Sequence, residues 1–141
     1  MAGLFVDTWG WLALRDKSDR RHREVLALLN QALEQGAPIV TTDYVLDETF
    51  TLLFRRLATH LAKASMDFLM AATYDGSVLL MSINAARFSE AVTLRTKFKD
   101  KPDISFTDLT SMVTMRELEL RRIMTEDHHF VQVGMGFELV P

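Results

Sequence analysis

The chain contains no cysteine among its 141 residues. That absence excludes disulfides, thiolate zinc sites, iron–sulfur clusters and a cysteine nucleophile, and it is compatible with a reducing compartment. Glycine and proline are scarce, at six and three residues, which excludes collagen-like and low-complexity architectures. Long hydrophobic runs are missing too. The longest stretch without a charged residue, Gly76 to Ala86, has eleven residues, whereas a membrane-spanning helix needs about 20. The opening Met-Ala-Gly-Leu-Phe-Val-Asp has no basic leader and carries a carboxylate at Asp7, so the expectation is no secretory signal, no membrane association and a cytoplasmic location. Nor is there an excess of positive charge: 16 Lys and Arg against 19 Asp and Glu leave a net charge of −3. Such a chain does not coat nucleic acid wholesale, but it is compatible with a local basic face beside an acidic pocket.

What is present is the balance of a globular protein, 48% apolar and 25% charged, in a length that one hydrophobic core serves. Residues 1–141 are therefore expected to form a single domain. Short apolar runs at Leu4 to Val6, Pro38 to Val40 and Ser77 to Ile83 read as strands, the last rich enough in Val, Leu and Ile to be a buried one. Arg122 to Thr125 and Phe137 to Val140 are weaker strand signals. Between the first two runs, His22, Val25, Leu26, Leu29, Ala32 and Leu33 recur at helical spacing, with Gly36 as a C-terminal stop. Further helices are expected over Tyr44 to Leu57, Leu61 to Ala72, Asn84 to Phe98 and Phe106 to Leu120. Alternating strands and helices predict an α/β fold: a central, mostly parallel sheet of four to five strands flanked by helices on both faces. Sites in such sheets lie outside the carboxyl ends of the strands. Lys97 to Asp103, dense in Lys and Asp, is expected to be a mobile loop.

Four carboxylates fall where this architecture builds sites. Asp7 ends an apolar strand, where a charge is costly to bury unless paired or bound to a metal, although an aspartate there could also cap the following turn. Asp127 repeats the pattern after Arg122 to Thr125. Glu48 falls in the helix after the second strand, and Asp108 in the first turn of the helix that begins near Ser105. Each has a plainer reading, Asp108 as the acid of a Ser-x-x-Asp capping pattern and Glu48 as a solvated helix residue.

The blocks Phe5-Val6-Asp7-Thr8, Thr42-Asp43-Tyr44-Val45-Leu46-Asp47-Glu48, Ser105-Phe106-Thr107-Asp108 and Thr125-Glu126-Asp127-His128-His129-Phe130, in this order and spacing, resemble the PIN domain family of metal-dependent ribonucleases. The resemblance is closest to the small VapC-like toxins of bacterial toxin–antitoxin pairs, and it spans nearly the whole chain. It implies a single PIN-like domain in which Asp7, Glu48, Asp108 and Asp127 are the metal-site and catalytic carboxylates. It further implies a homodimer that cleaves RNA and is inhibited by a small antitoxin. An acid cluster without thiolates suits hard ions, so Mg2+ or Mn2+ is expected and zinc is not. Two positions depart from the family pattern: Trp9 stands where a small residue is common, and Glu126 where a polar amide is common.

A polyanionic substrate also needs cations near an acidic pocket. Arg55 is the expected phosphate contact, because it follows Glu48 by seven residues and so lies near the same helix face. Arg15, Lys17, Arg20, Arg21 and Arg23 crowd the first loop and helix, and Arg20 to Arg23 read as a solvated face. Trp9 and Trp11 read as core or interface residues rather than base-stacking platforms, and at most one of His128 and His129 can face a common point. Two other functions fit less well. One is a catalytically degenerate PIN fold acting as an RNA-binding or interaction module. The other is a doubly wound phosphoryl-handling domain of the haloacid-dehalogenase or receiver type, the former of which wants an acid where Trp9 stands.

Overall fold

The computed structural model describes residues 2–141. In chain order the elements are β1 (Leu4–Val6), α1 (Thr8–Arg15), α2 (His22–Glu34), β2 (Ile39–Thr42), α3 (Asp43–Arg56), α4 (Thr59–Tyr74), β3 (Leu79–Met81), α5 (Ala85–Lys97), α6 (Phe106–Glu117), β4 (Arg122–Met124), α7 (His129–Gln132) and β5 (Glu138–Val140). The five strands form one sheet in the order β3-β2-β1-β4-β5. Every pairing is parallel, with Phe5 opposite Val40 on one side and Ile123 on the other. The expected α/β architecture with a parallel sheet is what the chain adopts.

Side chains alternate between the faces of a strand, yet Leu4, Phe5 and Val6 of the central strand are all fully buried. Both faces of β1 are therefore covered. Right-handed crossovers place the helices that lead from β1 to β3 on one face and those that lead from β3 to β5 on the other. The chain reverses direction across the sheet between β1 and β4, and that reversal opens a crevice at their carboxyl ends.

The helix boundaries follow local chemistry. Thr42, Asn84 and Ser105 cap α3, α5 and α6, their side-chain oxygens accepting from the backbone N–H of Val45, Arg87 and Asp108 at 3.1, 2.9 and 3.0 Å. Each cap satisfies an N–H that the helix leaves without a partner. Gly36, at φ 67°, closes α2 where the sequence predicts a stop.

Three expectations are corrected. The Ser77 to Ile83 run is not a buried strand: β3 pairs only with β2 and forms the sheet edge, leaving Leu79 and Leu80 exposed. The segment Lys97 to Asp103 is tied down rather than loose. The Arg95 guanidinium donates to the carbonyls of Phe98, Lys101 and Ile104 at 2.6 to 2.8 Å, and Phe98 and Ile104 are buried. Helix α1 was not expected, because its eight residues are fewer than the window over which a helical period is read; Thr8, Gly10, Trp11, Leu12 and Ala13 are buried. Trp11 belongs to this core, its indole N–H donating to Thr41 Oγ1 at 3.2 Å.

Gly10 sets how closely α1 approaches the sheet. A Cβ at this position would lie 2.8 Å from Val6 Cγ1 and 2.8 Å from Met124 Cγ. The methionine can swing away, but the β-branched valine is stiff. Gly10→Ala is expected to destabilise the fold by about 1 to 3 kcal/mol through overpacking, read as a lowered midpoint in chemical denaturation. An unchanged midpoint would mean that the contact between α1 and β1 is looser than described.

Candidate active site

The strands deliver the acids. Asp7 follows β1 directly, and Thr125 to Asp127 follow β4, so both arrive at the carboxyl edge beside the crevice. Helix α3 begins as β2 ends, which keeps Glu48, in its second turn, at that edge. Helix α6 must run back toward the amino end of β4, so its own N-terminal turn, with Asp108, starts at the carboxyl edge.

Asp7 stands at the N-cap position of α1 with extended backbone, but its side chain makes no capping bond. Its Oδ2 instead accepts from the Thr125 hydroxyl at 3.0 Å, so the turn-cap alternative does not describe this residue. Thr125 Oγ1 also accepts the backbone N–H of Asp127 at 3.2 Å. One hydroxyl thus joins the acid after β1 to the acid after β4. The Asp127 carboxylate in turn accepts the backbone N–H of His129, the first residue of α7, at 2.9 Å.

Asp108, Asp127 and His129 each offer one ligand atom, all within 4.8 Å of one another. The imidazole Nδ1 of His129 lies 2.9 Å from Asp127 Oδ1. It is buried, yet it is not aligned for a hydrogen bond with that oxygen. This nitrogen is thus close to the Asp127 carboxylate without a hydrogen-bond partner, and with Asp108 and Asp127 it makes a donor set of two carboxylate oxygens and one imidazole.

The electrostatics agree. Asp7, only 7% exposed, has its pKa pushed from 3.8 to about 6, mainly by burial, with the charges of Glu48 and Asp127 adding to the rise against hydrogen bonds from Thr8 and Thr125. Asp108 is pushed up to about 7, by burial first and then by the charges of Asp7 and Asp127 and a hydrogen bond shared with Asp127. Protons in such a cluster belong to the group more than to any one member. Asp7 and Asp108 thus sit where burial and neighbouring acids oppose their ionisation.

Of the residues predicted from sequence, Asp7, Asp108 and Asp127 are brought together, and Glu48 lies at the rim, exposed and close enough for Asp7 to feel its charge. Arg55 is exposed in the last turn of α3. One site residue escaped the sequence reading: Thr125 lies two positions before Asp127, a spacing that returns to one side of an extended segment and was the available signal. Of the two histidines, of which at most one was expected to face the site, His129 is the one beside Asp127. His128 points elsewhere and is exposed. Arg20 and Arg21 are also not a purely solvated face: their guanidinium groups converge on Glu126 Oε1 at 3.2 and 3.4 Å.

The PIN domain profile matches residues 4–135, and the chain belongs to the PIN domain family. Among curated proteins it is 30% identical over 131 residues, 93% of this chain and 94% of the relative, to the 23S rRNA-specific endonuclease VapC20 of two Mycobacterium tuberculosis strains. The crystal structure of Mycobacterium tuberculosis VapC20, described as a sarcin–ricin loop cleaving toxin, superposes with a TM-score of 0.76 at 27% identity, covering 94% of this chain and 95% of that one. VapBC2 from Rickettsia felis, solved bound to a DNA fragment from its promoter, gives a TM-score of 0.74 at 14% identity, covering 96% of each chain. At that identity the likeness speaks to the fold alone.

The raised pKa values make a sign-determined prediction. Without metal, folded Asp7 and Asp108 retain protons at pH values where the unfolded chain has lost them, so the folded state binds more protons between about pH 4 and 7 and this contribution to stability falls as pH rises through that window. Metal-free Asp108→Asn is expected to exceed the parent in stability at pH 8 by at least about 1 kcal/mol, with the advantage vanishing near pH 4. Thermal melts in chelator across pH check this, and a variant that melts well below the parent at pH 8 would make Asp108 a purely structural helix-start acid.

Proposed function

We propose that this protein is a metal-dependent endoribonuclease of the VapC-like toxin type, acting as one domain over residues 1–141. The observation that carries the reading is the convergence of Asp7, Asp108 and Asp127 at the β1/β4 crevice of a chain that belongs to the PIN family. Asp7, Asp108 and Asp127, with Glu48 at the rim and His129 alongside, would hold Mg2+ or Mn2+: the donors are oxygens and one imidazole, and no thiolate is available. A divalent cation there supplies the positive charge that polarises a phosphodiester and the water that attacks it.

The chain's own groups do the rest. Thr125 fixes the Asp7 carboxylate by donating to Oδ2, and it orients Asp127 through the backbone. Glu48 is the acid best placed to orient a water at the solvent side, because it is the exposed member of the set. Arg55 extends the RNA path along α3. The similarity to a 23S rRNA endonuclease makes ribosomal RNA the first substrate to test. A small antitoxin as inhibitor and a cytoplasmic location follow from the same kinship. A homodimer is proposed on that basis too, and exposed Phe54, Leu61, Phe88 and Val92 are apolar surface that a second chain would cover.

Purified protein is expected to cleave rRNA with Mg2+ or Mn2+ and to stop in chelator. Asp7→Asn and Asp108→Asn are each expected to lose roughly 100-fold or more in rate while remaining folded, since each removes several kcal/mol of charge stabilisation. Metal binding without cleavage by the parent would leave a degenerate PIN fold acting as a binding module.

Arg55→Ala is expected to lower the salt slope of RNA binding by about 0.7 to 0.9, one phosphate contact. An unchanged slope would return Arg55 to the solvated helix face.

A further inference from the structure

A negative pocket in a chain of net charge −3 repels the polyanion it is read as cleaving, so cations must meet the backbone close to the acids. Candidates lie outside α3. Arg20 and Arg21 lie in the turn between α1 and α2, far away in sequence from the loop after β4, yet both reach it. Arg20 Nη2 is 3.2 Å and Arg21 Nη1 3.4 Å from the same Glu126 oxygen. Glu126 sits between Thr125 and Asp127, whose side chains serve the acid cluster, and successive side chains of an extended segment face opposite ways. The arginine pair thus meets this loop one residue away from Thr125 and Asp127. A cavity of about 420 Å³ opens there, lined by Arg20, Arg21, Thr125, Glu126 and His128 among others.

We propose that Arg20 and Arg21 form a phosphate subsite that grips the RNA backbone beside the scissile position, with Glu126 holding the place of the phosphate in the free protein. The proposal rests on the ribonuclease reading. A carboxylate and a phosphodiester present the same paired oxygen acceptors to a guanidinium, so one can replace the other on the same donors. The Arg20–Glu126 pair is solvent-exposed, with side-chain exposure of 79% for Arg20 and 40% for Glu126, and a pair of that kind exchanges partners at little cost. Arg21 is already ordered. It bonds Glu24 through Nε and Nη2 at 3.1 and 3.0 Å, reaches the Pro141 carbonyl at 3.4 Å, and lies 5.6 Å over the Trp9 ring. That anchoring removes part of the ordering cost of binding, and it gives Trp9, the large residue beside Asp7, a role as the platform for Arg21. Arg20, mostly in solvent, supplies the mobile half of the grip.

The test is binding of a fluorescently labelled single-stranded RNA oligonucleotide by the full chain in chelator, as a function of salt. Arg20→Ala/Arg21→Ala is expected to lower the slope of log affinity against log salt by roughly 1.4, two single-strand phosphate contacts. Arg20→Lys/Arg21→Lys should keep most of the slope, and Glu126→Gln should tighten binding and steepen it by freeing both arginines. A purely structural latch would instead leave the slope unchanged and lower the melting temperature in all three variants. Should the double alanine variant fail to fold, exposed Arg20→Ala alone is expected to lower the slope by roughly 0.7. A parental slope in a folded alanine variant, or weaker binding by Glu126→Gln, overturns the subsite. So does loss of a protein inhibitor with RNA binding intact, which would assign the arginines to that partner. A parent that neither binds nor cleaves RNA overturns the ribonuclease reading itself, and parental cleavage beside an unchanged slope removes the subsite alone.

Discussion

The structure depends on placing a carboxylate at the end of a strand that is buried on both faces. β1 is the middle strand of five, paired in parallel to β2 and β4, and its three side chains have no contact with solvent. A strand held from both sides and both faces cannot shift to relieve the charge of Asp7. The burial that raises the proton affinity of this acid also fixes its position, and a metal or substrate site needs that fixity more than it needs stability. Stability is drawn from elsewhere, from apolar residues such as Ile123, Met124, Leu109 and Met112, all fully buried around the same sheet.

The remaining groups gather because of where the chain changes direction. Strands β2 and β3 extend the sheet to one side of β1, and β4 and β5 to the other, so the connections diverge at the β1/β4 boundary and leave a crevice. Each connection contributes once. The end of β1 provides Asp7, the start of α3 leads to Glu48, the first turn of α6 carries Asp108, and the loop after β4 carries Thr125, Asp127 and His129. The Thr125 hydroxyl, bonding to Asp7 and to the backbone of Asp127 at once, ties two of these contributions together. Helix N-termini favour negative charge, which eases the presence of Asp108 and does not remove the repulsion among the acids.

An acidic centre that acts on a polyanion must also solve a problem of approach. Positive charge spread evenly over the surface would neutralise the acids as well as attract RNA. Here it is grouped instead, with Arg20 and Arg21 both paired to Glu126, the residue before Asp127. Kinship with a protein described as a 23S rRNA-specific endonuclease, at 30% identity over 93% of this chain, accords with an arrangement of opposite charges side by side.

Sequence alone determined the elements with a local cause. Helix α2 was legible from its apolar period and Gly36, β1 and β2 from short apolar runs, and the starts of α5 and α6 from Asn84 and Ser105, because propensity, periodicity and capping act over a few residues. Asp7, Glu48, Asp108 and Asp127 were legible as a set because four local blocks carried them in order. Tertiary structure decided the rest. It made a helix of the short segment α1, left β3 at the edge despite its apolar sequence, and pinned the charged loop after α5 through Arg95. It also selected His129 over His128 and turned Arg20 and Arg21 toward Glu126, about 105 positions away in the chain. Those outcomes depend on which surfaces meet across the sheet, and no window of neighbouring residues contains that information.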